Sequence, residues 1–196
     1  WYGLGFFGAG TSWVYVSINV YGAAPPLLAG MLTFLFVAAL AWFFVLQCWL
    51  FRKYVTRFIP VLGFTACWVL GEWLRSWLLT GFPWLYLGYA HVTTVLSGVA
   101  PLFGVLGISM IVALSAALLG ECWLRYSTAR SLLAVARSWL PGALLLLWTL
   151  AVSSKQFVWV QPIPERTLTV GLVQANIPQE MKFDQASVQA NLTRYA

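Results

Sequence analysis

Charge is scarce in this chain: five Asp and Glu and eleven Lys and Arg make up 8% of its 196 residues. A water-soluble domain uses about 25% charged residues to cover its surface, so most of this surface faces something other than water. Histidine occurs once, and His91 falls in a loop without a nearby carboxylate, as an ordinary loop residue and not a catalytic base. Cysteine occurs three times, at Cys48, Cys67 and Cys122, each in or at the end of an apolar run. Thiols in such runs act as small hydrophobes. No CxxC or Cys/His spacing is present, so no metal site and no cofactor is expected. A basic leader with a cleavage site is also missing. The chain opens at Trp1 without an initiator Met and closes at Ala196 inside an expected helix, which predicts a piece of a longer protein.

What is present is apolar. Hydrophobic residues make up 61% of the chain and the mean hydropathy is +0.83. Lipid is the simple partner for such a surface. The twelve Trp and eight Tyr fit it, because their amphipathic rings settle at the headgroup level. In a soluble protein the net charge of +6 would point to nucleic acid. Here the positive-inside bias of membrane proteins accounts for it, and no nucleic-acid partner is expected.

Five segments are long enough to cross, or nearly cross, a hydrocarbon core that takes about 20 helical residues. They cover residues 1–18, 27–50, 60–79, 95–124 and 138–153, and together predict a transmembrane helical bundle over residues 1–155. Pro25 and Pro26 mark the entry of the second span. Arg52, Lys53 and Arg57 lie between spans two and three, and Arg125, Arg130 and Arg137 between spans four and five. The loops at residues 19–24 and 80–94 carry no Lys or Arg. This alternation places the basic loops in the cytoplasm and everything after about Lys155 outside. Gly3, Gly5, Gly8 and Gly10, like Gly104 and Gly107, predict close helix packing and not a phosphate loop.

Polar exceptions inside the spans are more informative. Glu72 and Arg75 share one helical face near the outer end of span three. A lone charge at mid-membrane costs roughly 2.5–3.5 kcal/mol, so two readings stand: a mutually neutralising pair that anchors the bundle, or a lipid-headgroup site. Arg75 is the better ligand candidate, because a guanidinium grips phosphate through two parallel hydrogen bonds. The loop that follows, Thr80-Gly81-Phe82-Pro83-Trp84-Leu85-Tyr86-Leu87-Gly88-Tyr89, is aromatic and uncharged, and its Gly and Pro stop the helix. Its rings form either an aromatic belt or an entrance for an apolar substrate.

After Lys155 the composition changes. Residues 156–166 read as a linker with Pro162 and Pro164. Residues 167–173 are rich in β-branched side chains and predict a buried strand. Asp184 can cap a helix in which Val188, Leu192 and Tyr195 share an apolar face. Strand, loop and helix open an α/β domain, so residues 167–196 predict the truncated start of one.

Four motifs in this order resemble a known family: Trp13-Val14-Tyr15-Val16-Ser17-Ile18, Glu72-Trp73-Leu74-Arg75, Thr80-Gly81-Phe82-Pro83-Trp84-Leu85 and Val173-Gln174-Ala175-Asn176-Ile177-Pro178-Gln179. Together they are similar to bacterial apolipoprotein N-acyltransferase. The resemblance implies an inner-membrane enzyme with eight spans and a periplasmic nitrilase-like domain. Such an enzyme moves an acyl chain from a phospholipid, through a Cys thioester, to the α-amino group of a diacylated apolipoprotein. It also implies that the catalytic Glu, Lys and Cys lie beyond the end of this chain. The candidate lipid- or substrate-binding residues are then Glu72, Arg75, Phe82, Pro83, Trp84 and Tyr86 in the membrane half. Gln174, Asn176 and Phe183 are the candidates in the soluble start. Phe183 stands where the family carries Trp, keeping a ring to pack on an acyl chain but losing the indole N–H. Two other classes remain open: a related membrane-anchored nitrilase acting on a different amine or amide, and a lipid-binding or transport module without chemistry.

Overall fold

The computed structural model describes residues 1–56, 59–161, 163, 168–174, 176–178, 181 and 187–193. Helix α1 (Tyr2–Gly10) is followed by a short α2 (Trp13–Val16) and a π-helical turn at Ser17–Tyr21. The first expected span is therefore broken, and the break sits at Thr11. The Thr11 amide and hydroxyl both donate to the Phe7 carbonyl, at 2.8 and 2.7 Å, while a φ of −121° takes the chain out of the helix.

Helix α3 (Pro26–Leu50) starts with Pro26 in its first turn, where the missing N–H costs nothing. It runs on through a π-helical segment at Phe51–Val55. Helix α4 (Pro60–Trp77) repeats the proline start and ends two residues before the expected boundary, as Leu78 turns extended. Three short 3-10 turns follow at Leu78–Thr80, Leu87–His91 and Val95–Val99. Helix α5 (Ala100–Ala129) has an interruption at Gly104 (φ 62°, ψ −164°), a conformation open to glycine alone at little cost. Arg130 closes α5 in the left-handed region. Helix α6 (Leu132–Ala136) leads to α7 (Trp139–Ser154). At about 1.5 Å per residue, the 16 residues of α7 fall short of a core about 30 Å thick. Helix α3, through Val55, and the Val95–Ala129 stretch are both long and apolar enough to cross.

The order of contacts is that of a bundle. Helix α4 packs on α5, α1 on α3, and α7 on α5. Phe7, Val37 and Leu40 fill the α1–α3 side; Val61, Leu118 and Leu140 join α4, α5 and α7; Leu96, Val99, Ile108, Ile111 and Ala151 join the Val95–Val99 turn to α5 and α7. Outward-facing side chains stay apolar, among them Leu27, Trp42, Leu124 and Leu145, the opposite of a surface made for water. Hydroxyls are turned back onto their own helices: Thr33 bonds the Ala29 carbonyl, Thr65 that of Val61 and Ser115 that of Ile111. That satisfies polar groups where no water can. The expected glycine ridge splits. Gly3 sits against Ala41 and Phe44 and Gly10 against Leu85, while Gly5 and Gly8 face open space.

Residues 168–173 do not pair into a strand among the described residues, and Leu168 and Leu172 are exposed. A single β-segment has no edge to bond to. A helix, α8, covers Val188–Thr193. Asp184 and Tyr195, expected to cap and face it, lie outside the described residues. The architecture shown is a mostly helical membrane bundle.

Candidate functional site

Glu72 and Arg75 lie in the last turns of α4, and each is only 4% exposed. The Glu72 carboxylate looks sideways out of α4. Its Oε1 accepts from the Trp68 indole N–H one turn earlier (3.0 Å) and from the Leu87 backbone N–H (2.9 Å). One oxygen thus ties the aromatic loop to the helix that precedes it. The Arg75 guanidinium lies 5.0 Å from the centre of the Phe7 ring and 5.1 Å from that of Tyr86. A desolvated cation over a ring face is worth about 2 kcal/mol. The two charges do not approach within the 4.0 Å of an ion pair. No direct ion pair joins the two groups, and each is held by its own partners.

The loop leaves α4 by folding back on it. The Phe82 N–H donates to the Arg75 carbonyl (2.7 Å), and Gly81 makes the reversal with φ +83°, which a side chain would resist. Leu79, Thr80 and Leu85 also adopt positive φ without being glycine. Such residues cost about 1–3 kcal/mol each and persist where their surroundings hold them. Phe82 points into the bundle, edge-on to Phe36 (5.1 Å, 88°), and stacks on Trp84 (5.1 Å, 20°). Trp84 in turn reaches Trp13 at 6.2 Å. Tyr86 and Tyr89 stack nearly parallel at 5.5 Å, and the Gly88 N–H donates to the Ser109 hydroxyl of α5 (2.9 Å).

These contacts leave a groove of about 670 Å³ walled by Phe6 of α1 and by loop residues Pro83 to Leu87, Tyr89 and Ala90. Trp84 and Tyr89 are about half exposed on its rim. Tyr86 is buried, and its hydroxyl meets no partner at hydrogen-bonding geometry. The Ser76 hydroxyl beside it is directed instead to the Trp73 carbonyl (2.6 Å). Burial pushes the Tyr86 phenol up from its ordinary pKa, against the opposing pull of Arg75. The groove is apolar and uncharged at its mouth, with the guanidinium behind the Tyr86 ring.

Of the residues singled out from sequence, Glu72, Arg75, Phe82, Pro83, Trp84 and Tyr86 come together here. Gln174 and Asn176 are exposed, and Phe183 lies outside the described residues. Sequence reasoning missed Phe7, Gln47, Trp68 and Ser109. Gln47 carried a signal, as an amide alone in a long apolar helix. Phe7 carried none, since one ring in an aromatic-rich helix looks like another.

Comparison with known proteins identifies the family. Residues 1–118 match the family model described as the apolipoprotein N-acyltransferase N-terminal domain. Apolipoprotein N-acyltransferase of Pseudomonas putida is 46% identical over 200 residues, covering 100% of this chain and 38% of the relative. The protein of the same name from Pseudomonas syringae is 44% identical, with 99% of this chain and 38% of the relative covered. That from Coxiella burnetii is 40% identical over 99% of this chain and 39% of the relative. The chain thus spans about two fifths of the length of these relatives. With residues 1–118 matched by the family model and 40–46% identity running through the whole length, the chain belongs to the apolipoprotein N-acyltransferase family.

Proposed function

We propose that the protein to which this chain belongs transfers an acyl chain from a phospholipid to the α-amino group of the diacylglyceryl-cysteine that begins an apolipoprotein. The observation that carries this reading is the identity of 40–46% over the whole chain to proteins of that name. The described bundle contributes substrate handling. Both substrates are lipids and reach a site sideways from the bilayer. The groove beside Trp84 and Tyr89 offers an apolar wall for an acyl chain, and Arg75 lies one ring behind it.

The chemistry belongs to the part of the protein beyond Ala196. A Glu base takes the proton of a Cys thiol, and the thiolate attacks the phospholipid ester carbonyl. The ester C–O bond breaks, the acyl group stays as a thioester, and the lysophospholipid leaves with that proton, while a Lys stabilises the oxyanion. The α-amino group then attacks the thioester and returns the Cys thiol. Cys48, Cys67 and Cys122 do not take that role, because they sit in helices α3, α4 and α5. Residues 156–166 then form a linker and residues 167–196 the first strand and helix of a nitrilase-like α/β domain on the periplasmic side of the inner membrane. The exposed apolar side chains of residues 168–173 become buried when further strands of that domain pair with them.

The full-length protein in phospholipid vesicles, given a diacylated lipopeptide, is expected to add one acyl chain to its amino terminus, read as a mass increase. An inert full-length protein would overturn the reading. Trp84→Ala is expected to slow formation of the acyl-enzyme while the thermal midpoint stays within a few degrees of wild type. Unchanged acyl-enzyme formation removes Trp84 from the lipid path.

A further inference from the structure

Besides the Tyr86 hydroxyl, three buried polar atoms near the candidate site have no hydrogen-bond partner: Oε1 of Gln47, Oε2 of Glu72 and Nε of Arg75. All three residues line one small cavity between α3 and α4, closed by Phe43, Phe44, Trp68, Gly71 and Leu85. In an apolar bundle an orphaned polar group is costly, the more so where it is charged, so three around one space call for a common partner. The cavity measures about 10 Å³, and a site of about 10–15 Å³ holds one water.

We propose that a single ordered water occupies this cavity, donating to Gln47 Oε1 and Glu72 Oε2 and accepting from the Arg75 Nε–H. The inventory balances: two acceptors and one donor wait on the protein, and water brings two donors and an acceptor lone pair. A buried water makes about three hydrogen bonds to groups left unsatisfied by the protein. The Gln47 amide is oriented for this, because its Nε2 donates to the Trp68 carbonyl (3.3 Å) and leaves Oε1 toward the cavity. Gly71 keeps the space open, since a Cβ there would collide with the Gln47 amide nitrogen.

The water joins what the direct contacts leave apart. It mediates between Glu72 and Arg75, which do not pair directly, and carries the link to Gln47 on α3. Glu72 Oε1 already holds the Leu87 backbone, so the node fastens α3, α4 and the aromatic loop to one another. The inference stands on burial and hydrogen-bond inventory and does not depend on acyl transfer.

A structure of the full-length protein in lipid, at a resolution that shows ordered waters, tests it. One density peak within hydrogen-bonding distance of all three atoms is the expected result. In Gln47→Leu and in Gly71→Ala, which displaces the amide, the peak is expected to vanish while the Glu72 contacts to Trp68 and Leu87 remain. A direct Glu72–Arg75 ion pair, a cavity without density, or a peak that survives in Gln47→Leu would each overturn it.

Discussion

Two acid–arginine pairs in this chain are written almost alike, and they end in opposite situations. Glu121 and Arg125 stand four residues apart near the end of α5 and form an ion pair at 3.2 Å, with side chains 25% and 45% exposed. Glu72 and Arg75 stand three apart in α4, are 4% exposed, and form no ion pair. The exposed pair has each other and little else. The buried charges have a backbone N–H, an indole and two aromatic rings. In a high-dielectric setting direct attraction is affordable and weak; in a buried one, each charge needs its own set of partners before it is tolerated.

Removing the buried acid is the strongest way to test that contrast. Glu72→Leu leaves Arg75 without a counter-charge and leaves the Trp68 and Leu87 N–H groups without an acceptor. Each buried donor left without an acceptor costs about 1–3 kcal/mol, and two are left here. The thermal midpoint in detergent is expected to fall sharply, and the loop at residues 78–99 to become open to protease. Glu72→Gln keeps an acceptor oxygen and is expected to lose less, about 1–3 kcal/mol. Equal losses in the two variants would mean that charge alone, and not the hydrogen bonds to the loop, matters at this position.

Next in size is Arg75→Lys. The charge stays, but the planar face that lies over Phe7 and Tyr86 is lost, as is the Nε–H. A loss of about 1–2 kcal/mol follows from the ring contacts, measured as a lower unfolding midpoint. A lysine variant as stable as wild type would show that the rings are incidental neighbours.

Tyr86→Phe sharpens the same comparison through pH. The hydroxyl has no partner, so at neutral pH its removal is expected to leave stability unchanged or to raise it by up to about 1–3 kcal/mol. The folded phenol has a raised pKa, so the unfolded chain releases this proton first. The contribution to stability is therefore complete below the ordinary tyrosine value of about 10 and is lost as pH rises through the raised folded value. The advantage of Tyr86→Phe over wild type is expected to grow on that alkaline side. A variant less stable than wild type at neutral pH would show that the hydroxyl makes a bond.

Sequence made the bundle legible because lipid demands long apolar runs, and runs such as residues 27–50 and 95–124 leave little choice. It singled out the candidate site for a related reason: Glu72 and Arg75 stand out against an apolar background, and Gly81 with Pro83 marks where the helix must stop. Partners were harder to see. Phe7 and Gln47 reach the node from other helices, and nothing in the spacing of α4 says which neighbour a side chain will meet. The break at Thr11 was hidden too, because a threonine that bonds its own helix in one place ends it in another: Thr65 does the former in α4. For residues 168–173 the β pattern was clear, but a strand requires a partner that the described residues do not supply.

The smallest effect is expected from the exposed pair. Arg125→Ala removes an interaction that is geometrically good, with Glu121 placed toward the N-terminus of its partner as helix pairs prefer. Both side chains are partly exposed near the end of α5, and where water and ions reach them they screen the attraction while the free side chains regain rotamer freedom. Exposed i,i+4 pairs contribute about 0.3–0.5 kcal/mol, so the midpoint should move by a degree or so at low salt and by nothing measurable at high salt. A loss comparable to that of Arg75→Lys would place Arg125 among the buried charges. It would also mean that the end of the bundle carrying Arg52, Lys53 and Arg125 is covered by something beyond the described helices.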